Sequence, residues 1–353
     1  MVEIDYIVVG LGLAGMAFCE QLTANHKEFL VIESGGASAS RVSGGVYNPV
    51  ILKRYTLPWE AEKLMDIAVP YYEQLTKKLQ LNAMFPTPVL RLFSSAEDQN
   101  NWFEALDKPG LSRFLSPKLE REPINGIDSI FHYGRVRETG RIDVPAVLDA
   151  YKAHLIQKKQ WLDEVFEHEQ IVIENDHVMY KNYRARYIVF AEGYGVKKNP
   201  FFAKLPVVGN KGEYIFIKAE KLILDAALKS QFFIIPQGNQ RFKVGATFNG
   251  KDKDNNPTQS AREEILLKLR KVLTCEFEVV DQEAGVRPTT GDRRPLLGKH
   301  PHYPNLALLN GLGTRGIMMS PYLAGLLYEN LENGIKLPQT VDVMRFPKKF
   351  EKR

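Results

Sequence analysis

Cysteine is scarce in this chain. Its 353 residues include only two cysteines, Cys19 and Cys275, which is too few for the disulfide framework of a small secreted protein. The N-terminus lacks the basic segment and cleavage site of a signal peptide, and it carries acids at Glu3 and Asp5. We therefore expect a protein of the reducing cytoplasm.

Long hydrophobic runs and strong net charge are also absent. The apolar stretch at residues 6–19 is too short to cross a bilayer and is interrupted by glycines, so no membrane span is predicted. The net charge of +5 permits an anionic ligand, but the charges do not form the concentrated basic patch of a nucleic-acid binder. No Ser/His/Asp or Cys/His set stands out, and no metal site is predicted. The length favours two domains.

The first 33 residues carry the strongest pattern. The apolar, β-branched run Tyr6-Ile7-Val8-Val9 predicts a central parallel strand, and Gly10-Leu11-Gly12-Leu13-Ala14-Gly15 follows it at once. A helical pattern and a second apolar run, Phe29-Leu30-Val31-Ile32, lead to Glu33. Strand, glycine turn, helix, strand and acid in this order predict a dinucleotide-binding βαβ unit.

Each of these positions has a physical role. Gly10 permits the tight turn, Gly12 lets a pyrophosphate approach the backbone, and Gly15 lets the helix pack closely against the sheet. The helix N-terminus offers unpaired N–H groups to phosphates. Glu33 can accept hydrogen bonds from a ribose diol and would repel a 2′-phosphate, which argues against NADP. The unit leaves NAD and FAD as alternatives.

Several later segments are rich in glycine or small residues. Residues 35–45 form either an ordinary surface turn or a loop that approaches a flat ligand. The buried-strand run at residues 187–190 ends in Ala191-Glu192-Gly193, which returns the chain to the edge of a nucleotide site. Near the C-terminus, Gly313-Thr314-Arg315-Gly316-Ile317 feeds a helix whose positive end can be directed at an electron-rich ring.

The segment between these loops has a different character. Residues 207–284 are strand-rich and alternate in polarity, which predicts a half-exposed antiparallel sheet. Residues 249–259 are charged and rich in asparagine, and they are predicted to form a solvated loop.

Together these segments resemble the FAD-dependent amine oxidoreductases of the D-amino acid oxidase and glycine oxidase superfamily. The resemblance covers nearly the whole chain and depends on the order and spacing of its motifs, which favour FAD over NAD. The matching motifs are Gly10-Leu11-Gly12-Leu13-Ala14-Gly15 with Glu33, Ser43-Gly44-Gly45-Val46, Asp143, Val165-Phe166-Glu167-His168, Ala191-Glu192-Gly193, Lys211-Gly212-Glu213, Phe233-Ile234-Ile235-Pro236, Val244-Gly245-Ala246-Thr247, Gly285-Val286-Arg287-Pro288 and Gly313-Thr314-Arg315-Gly316-Ile317.

The resemblance implies an α/β fold with a Rossmann-like FAD-binding domain and a second, mostly antiparallel β-sheet substrate domain. The FAD-binding domain is expected at residues 1–83, 141–205 and 285–353, and the substrate domain at residues 84–140 and 206–284. A substrate C–N bond would be oxidised by hydride transfer to flavin N5, and the imine would then be hydrolysed in solution. The flavin carries the redox chemistry, while the protein orients the substrate.

The resemblance also assigns site residues. Arg287 matches the family's carboxylate-binding arginine, whose planar donors suit bidentate capture; the alternative is an ion pair, for instance with Asp292. Arg315 would hold substrate or stabilise negative charge on the reduced flavin, or would instead bond a loop carbonyl. Phe233 and Tyr47 complete the expected substrate contacts. The expected FAD-binding residues are Gly10, Gly12, Leu13, Ala14, Gly15, Glu33, Ser34, Ser43, Gly44, Gly45, Val46, Ile171, Ala191, Gly193, Gly313, Thr314, Arg315, Gly316 and Ile317.

Three positions depart from the family pattern. Phe233 stands where glycine oxidase-like members tend to carry a tyrosine whose hydroxyl helps to hold the substrate carboxylate, which argues against a simple amino-acid substrate. Glu192 replaces the usual threonine of an Ala-Thr-Gly turn, a change that should matter little if the backbone makes the contact. No cysteine adjoins Gly285-Val286-Arg287, where sarcosine oxidase-like members attach FAD, so a non-covalent FAD is predicted.

The main functional prediction is an FAD-dependent amine or amino-acid oxidase or dehydrogenase, with oxygen or another acceptor taking the electrons. The alternative is oxidative removal of a carboxymethyl group from a tRNA wobble uridine. Residues 44–49 and 312–316 resemble motifs of that enzyme's oxidase domain, and residues 348–353 form a basic tail. Its fused methyltransferase domain has no counterpart in these residues, which favours the first function. A third class is a flavoprotein that binds or assembles without turnover.

Overall fold

The structure, a computed structural model, describes residues 1–36 and 38–351. Residues 352–353, the end of the predicted basic tail, lie outside the described part. The α-helices are α1 (Leu13–Ala24), α2 (Ala61–Lys78), α3 (Ala96–Leu106), α4 (Leu111–Phe114), α5 (Val144–Gln157), α6 (Gln259–Leu269) and α7 (Gly316–Asn333). The strands are β1 (Val2–Val9), β2 (Phe29–Ile32), β3 (Val46–Tyr47), β4 (Met84–Phe85), β5 (Val89–Leu92), β6 (Leu115–Glu120), β7 (Tyr133–Val136), β8 (Gly140–Ile142), β9 (Trp161–Leu162), β10 (Ile171–Ile173), β11 (Val178–Tyr180), β12 (Tyr183–Phe190), β13 (Asn210–Lys218), β14 (Ala227–Lys229), β15 (Phe233–Gly238), β16 (Arg241–Gly245), β17 (Glu278–Arg287), β18 (Leu296–Lys299) and β19 (Leu306–Asn310).

A largely parallel sheet forms around the first strand. Strands β9, β2, β1, β12 and β19 run parallel in that order, and β18 pairs antiparallel with β19. A hairpin of β10 and β11 pairs with the first residues of β12. The apolar runs at residues 6–9 and 29–32 are buried in this sheet, because helices or loops cover both of its faces.

Alternate residues of β1 enter two separate apolar clusters. Tyr6 and Val8 pack with α1, α5 and α7 on one face of the sheet, whereas Ile7 and Val9 pack with aromatic residues such as Phe202 on the other. This two-residue alternation is the geometry of an extended strand. It gives the parallel sheet a helical layer on one side and an aromatic layer on the other.

A second sheet has eight strands. Its order is β17-β13-β16-β15-β14-β5-β7-β6, and every neighbouring pair is antiparallel except β14 and β5. One face packs against α6. The opposite face carries Tyr214, Phe233 and Ile235, which join the apolar cluster of α1; we call it the roof face. The predicted α/β fold with a mostly antiparallel second sheet is confirmed.

A third, small sheet has the order β3-β8-β4. Its strands lie on both sides of the predicted domain boundaries near residues 83 and 140. The strands of the parallel sheet all lie within the predicted FAD-binding segments, whereas β17 crosses the predicted boundary at residue 285. The domain boundaries themselves stay a prediction.

Local sequence signals explain the helices that support the sheets. In α5, the carboxylate of Asp143 accepts a hydrogen bond from the Ala146 amide at 3.1 Å. This is the N-cap that the sequence predicts from an aspartate followed by Pro145 in the first turn. In α2, the apolar residues at helical spacing are all buried, as amphipathic periodicity predicts. Among the described residues, no helix is both long and apolar enough to cross a membrane.

Gly15 gives a test of the predicted close packing between helix and strand. A Cβ at Gly15 would overlap the backbone carbonyl of Gly10, whereas a Cβ at Gly325 in α7 would meet only the Gln21 side chain at 4.0 Å. We expect Gly15→Ala to lower the free energy of unfolding by about 2 kcal/mol. Gly325→Ala should be neutral or stabilising by up to about 1 kcal/mol. Urea unfolding of the two variants measures this, and equal effects would contradict the packing argument.

Candidate active site

The first glycine turn lies against the backbone of Ala191 and the side chain of Glu33. Gly10 has a φ of +98°, and a Cβ there would lie 2.8 Å from the carbonyl oxygen of Ala191. The Leu11 amide donates to the carboxylate of Glu33. The turn, the Ala191 segment and the acid therefore meet at the carboxyl ends of β1, β2 and β12, where parallel sheets bind nucleotides.

Ser40 is a site residue that the sequence does not single out. Its hydroxyl accepts a hydrogen bond from the Leu13 amide at 3.1 Å, so it occupies the N-terminus of α1. A Cβ at Gly12 would lie 3.0 Å from the same oxygen. Ser40 lies in the glycine- and serine-rich region, and this placement favours the ligand-facing interpretation of that region over an ordinary surface turn.

A cavity of about 330 Å³ adjoins Glu33. The ion pair between Arg41 and Asp149, at 2.7 Å, lies at its edge. Trp161 lines the cavity, and the indole nitrogen of Trp161 is buried with no partner among the described residues. The Lys152 ammonium lies 4.6 Å from the centroid of the Trp161 ring. Ser34, predicted as a cofactor contact, is exposed. The cavity suits the ribose and base of a dinucleotide, and Trp161 is a second residue that the sequence does not reveal.

The Ser43–Val46 loop passes directly beneath the roof face. A Cβ at Gly44 would lie 2.6 Å from Ile235 Cδ1. Gly45 has a φ of +72°, and a Cβ there would overlap the Ile142 carbonyl. The Ser43 hydroxyl is buried with no partner among the described residues. This orphaned hydroxyl and the exclusion of side chains fit a loop that contacts a bound ring.

Strand register aligns the residues of the roof face. Tyr214 pairs with both Gly245 and Glu283, and Gly245 pairs with Phe233. Because directly paired residues point to the same face, these four form one row across β17, β13, β16 and β15. Arg287 lies on the same face, nearer the end of β17, since residues two apart share a face.

Arg287 has only neutral partners among the described residues. Its Nη1 donates to the Asn210 side chain and to the Thr247 carbonyl, both at 3.3 Å, and its guanidinium lies 4.8 Å from the exposed Phe248 ring. Gly212 makes room for it, because a Cβ there would overlap the guanidinium. The alternative pairing with Asp292 does not form; Asp292 pairs with Arg345 at 3.3 Å.

Lys243 is a buried cation of the roof face that the sequence analysis missed. Its ammonium pairs with Glu283 and donates to the Ser43 carbonyl at 3.1 Å. Burial lowers the pKa of Lys243, although Glu283 opposes this effect, and burial raises the pKa of Glu283. Because Lys243 alternates with Phe242 and Val244 along β16, the sequence alone predicts a solvent-facing side chain there.

The second glycine loop lies against the first. A Cβ at Gly316 would lie 3.0 Å from the Leu13 side chain, and the Gly313 amide donates to the Pro288 carbonyl at 3.1 Å. Arg315 is half-buried, and burial together with Arg293 lowers its pKa. No described acceptor lies within hydrogen-bonding distance of its guanidinium, so the alternative bond to a loop carbonyl is not formed. The two loops converge although nearly three hundred residues separate them.

Some predicted residues do not join this group. The Tyr47 hydroxyl lies against Gly140 in the third sheet, and burial followed by the charge of Glu73 raises its pKa. Ile171 begins β10 and packs in the same apolar cluster as Ile32. Thr314 is exposed. The assignment of Tyr47 to substrate, and of Ile171 and Thr314 to FAD, stays a prediction.

Glu192 makes more contacts than its predicted minor role implies. One carboxylate oxygen lies 3.0 Å from His168 Nε2, and the other accepts from the Asn199 amide at 2.8 Å. These bonds tie the turn after Ala191 to two other segments. The side chain therefore has a structural role here that a threonine could not fill in the same way.

The loop at residues 249–259 is mostly exposed, as predicted, but it is attached to the sheet end beside Arg287. The fully buried Lys211 ammonium pairs with Asp252 and, at 2.7 Å, with Asp254. The backbones of Lys211 and Asn249 exchange two hydrogen bonds of 2.9 Å. Burial alone would lower the pKa of Lys211, but the two aspartates raise it, and Lys211 lowers theirs.

Comparison with protein families gives one match over most of the chain. The model described as FAD dependent oxidoreductase matches residues 5–330. Glycine oxidase of Bacillus subtilis is 25% identical over 359 residues, which cover 93% of each chain. The tRNA 5-methylaminomethyl-2-thiouridine biosynthesis bifunctional protein of Idiomarina loihiensis is 24% identical over 97% of this chain and 57% of that protein.

Solved structures with the same fold include two oxidases. Glycine oxidase from Geobacillus kaustophilus superposes with a TM-score of 0.78 at 19% identity, over 96% of both chains. Iminodiacetate oxidase from Chelativorans sp. BNC1 superposes with a TM-score of 0.76 at 16% identity, over 96% of this chain and 99% of that chain. At these identities the likeness concerns the fold.

Lys211 gives a test of the attached loop. Lys211→Met leaves Asp252 and Asp254 without their cation, and we expect Tm to fall by about 5 °C. The matched control is Lys218→Met on the same strand, whose pair with Glu220 is exposed and should matter little. The pKa values of Asp252 and Asp254 lie below their usual 3.8 in the folded protein. Their pairing with Lys211 therefore stabilises the fold above pH 3.8, and this stabilisation is lost as the pH falls through the lowered pKa values. The difference between Lys211→Met and the unaltered protein should therefore narrow below about pH 4; a constant difference would contradict the pairing.

Proposed function

The chain belongs to the family of FAD-dependent oxidoreductases, and from that premise we propose that it oxidises the C–N bond of a small amine or amino acid. Hydride would pass from the substrate carbon to flavin N5, and the imine would be hydrolysed after release. The family and the glycine oxidase relatives support an enzyme of amine oxidation. The carbon–nitrogen chemistry and the site residues belong to the proposal.

The residues present fit FAD. The glycine turn and the Ser40 hydroxyl at the N-terminus of α1 suit the pyrophosphate, and Glu33 beside its cavity suits a ribose. The buried, unpaired Ser43 hydroxyl lies under the roof face, where a ring would lie. The proposed FAD contacts remain Gly10, Gly12, Leu13, Ala14, Gly15, Glu33, Ser34, Ser43, Gly44, Gly45, Val46, Ile171, Ala191, Gly193, Gly313, Thr314, Arg315, Gly316 and Ile317, with Ser40 added.

Arg287 is the observation that carries the proposed reaction. It is a guanidinium on the roof face that is held by neutral partners only, among the described residues. A carboxylate can therefore pair with it without displacing another acid. Two parallel N–H donors fix the orientation of a carboxylate. Such orientation would hold the neighbouring carbon in one position, and positioning of this kind lowers the barrier to reaction.

Two further cations surround the loops beneath the roof. The Lys243 ammonium bonds the Ser43 carbonyl, and Arg315 begins α7 at its positive end. Both would lie near a bound ring, where a positive charge stabilises negative charge on the reduced ring. Low solvent exposure strengthens such interactions. The apolar roof residues Phe233 and Ile235 exclude water from the same space. Arg315, which has no acidic partner among the described residues, would stabilise that negative charge. Lys243, which is paired with Glu283, would hold the Ser43 carbonyl in place, and Phe233 would contact the substrate.

Oxidative modification of a tRNA wobble uridine is the second candidate. The observation that favours it is the coverage of the bifunctional tRNA-modification relative, which matches 97% of this chain. The chain spans 57% of that relative. Salt-dependent retention of tRNA, together with flavin bleaching by modified tRNA and by no amine, would replace the first candidate with this one.

Arg287 gives the direct test of carboxylate capture. The holoenzyme is mixed anaerobically with glycine, sarcosine, proline and D-amino acids, and flavin bleaching is recorded. For any substrate found, Arg287→Ala should raise KM about 100-fold, with a smaller change in kcat. Arg241→Ala, an exposed position at the opposite end of the roof strands, is the control and should leave KM unchanged. An unchanged KM in Arg287→Ala removes that residue from the site.

Acid precipitation tests the proposed non-covalent attachment of FAD. Cys19 is buried in α1, and Cys275 lies in the cluster on the face opposite the roof face. Neither thiol faces the loops proposed to contact the ring. Yellow colour should therefore stay in the supernatant after precipitation with trichloroacetic acid. A yellow pellet would overturn the proposal, and mapping of the flavin peptide would then name the attachment residue.

A further inference from the structure

Phe248 is an exposed aromatic residue beside the proposed carboxylate site. It is 71% exposed, and the guanidinium carbon of Arg287 lies over its ring, 4.8 Å from the centroid. A ring with this exposure buries too little surface to contribute much to a hydrophobic core. The contact with the guanidinium group is therefore the main interaction of this side chain, since arginine stacks on aromatic faces.

One buried acid holds both ends of the loop that carries Phe248. We call residues 248–257 the strap. Before the strap, the Thr247 amide donates to the Glu213 carbonyl at 3.2 Å, and the Thr247 hydroxyl accepts from the Glu213 amide at 3.0 Å. After the strap, the amide and the hydroxyl of Thr258 donate to the Glu213 carboxylate at 2.7 and 2.8 Å. Because Glu213 is only 2% exposed, these bonds are shielded from water and fix the strap at its two ends.

Neighbouring segments also hold the middle of the strap. The buried Lys211 ammonium pairs with the two strap aspartates, and the Val286 amide donates to the Asn255 side chain at 3.2 Å. The Lys253 ammonium donates to the Gly209 carbonyl at 2.7 Å. A shift of the strap backbone would disturb these bonds, so the first residue of the strap is held in place.

The Arg287 guanidinium has one edge free for a ligand. Nη1 carries two hydrogens and makes two hydrogen bonds, to the Asn210 side chain and to the Thr247 carbonyl. Gly212 leaves the space that the guanidinium occupies, because a Cβ there would overlap it, and the Phe248 ring lies against it. Nε and Nη2 of Arg287 make no hydrogen bond among the described residues. Their two parallel N–H donors form the free edge.

We propose that Phe248 is a positioning residue for Arg287, and that the edge it orients selects a planar carboxylate over a tetrahedral anion. This inference rests on the proposed function. Contact with the ring fixes the plane of the guanidinium group, and a group that is already oriented loses less freedom on binding. A carboxylate directs both oxygens along the Nε and Nη2 donors. A sulfonate or phosphonate carries a third oxygen outside that plane, toward the Phe248 ring or Gly212. The substrate is therefore a primary or secondary amine that carries a free carboxylate.

The experiment measures binding instead of turnover. The holoenzyme is titrated with propionate and with ethanesulfonate, and Kd is obtained from calorimetry and from the change in flavin absorbance. Propionate should bind about tenfold more tightly than ethanesulfonate. Phe248→Ala should raise the Kd of propionate about tenfold and bring the two Kd values together, because the guanidinium plane is no longer fixed. Phe248→Tyr should retain the original values. Phe248→Leu, which keeps apolar bulk without an aromatic face, should behave like Phe248→Ala.

The controls separate this inference from the proposed function. Phe103→Ala removes another exposed phenylalanine, on α3, and should change neither Kd. If no amine reduces the flavin, the proposed function fails, but the titrations still decide the role of Phe248. If Arg287→Ala leaves the Kd of propionate unchanged, the carboxylate site and this inference both fail. If Arg287→Ala raises that Kd and Phe248→Ala does not, or if Phe248→Leu restores the original values, this inference alone is overturned.

Discussion

The contact between Gly15 and the carbonyl of Gly10 is the constraint on which the rest of the site depends. Because neither residue has a side chain there, α1 begins almost in contact with the end of β1, and Ala191 of the neighbouring strand closes the other side. This proximity places the N-terminus of α1 at the sheet edge, beside Ser40 and the carboxylate of Glu33. Leu13, at the start of that helix, then packs against Gly316, so the second glycine loop is positioned by the first.

Charge is distributed differently at the two ends of the site. At the nucleotide end, the acid Glu33 is already bonded to backbone, and Arg41 is paired with Asp149. At the substrate end, Arg287 and Arg315 have no acidic partners among the described residues, and their environment is neutral or cationic. A half-buried guanidinium group without an acidic partner carries an uncompensated desolvation cost, and a bound anion would offset that cost.

Sequence alone predicted the features that depend on local spacing. The βαβ unit with Glu33 and the N-cap Asp143 involve residues close in the chain, where turn chemistry and periodicity are decisive. Ser40 and Lys243 could not be predicted in the same way, because each acts on a partner that only the fold brings near. The ion pair of Lys211 with a distant loop has the same origin: alternation predicts that a strand exists, but register decides which residues meet across it.

Register also explains why the cofactor was easier to predict than the substrate. Backbone groups at a turn make most of the contacts to a dinucleotide. Glycines that lie close together in the chain therefore indicate its site. The proposed substrate contacts lie instead on the roof face, whose row of Glu283, Tyr214, Gly245 and Phe233 is drawn from four strands that are far apart in the chain. A single substitution on this face, such as Phe233→Tyr, would change the polarity of the proposed site without changing the fold. Under the proposed function, side-chain substitutions on the roof face would alter specificity while the glycine turn stays intact.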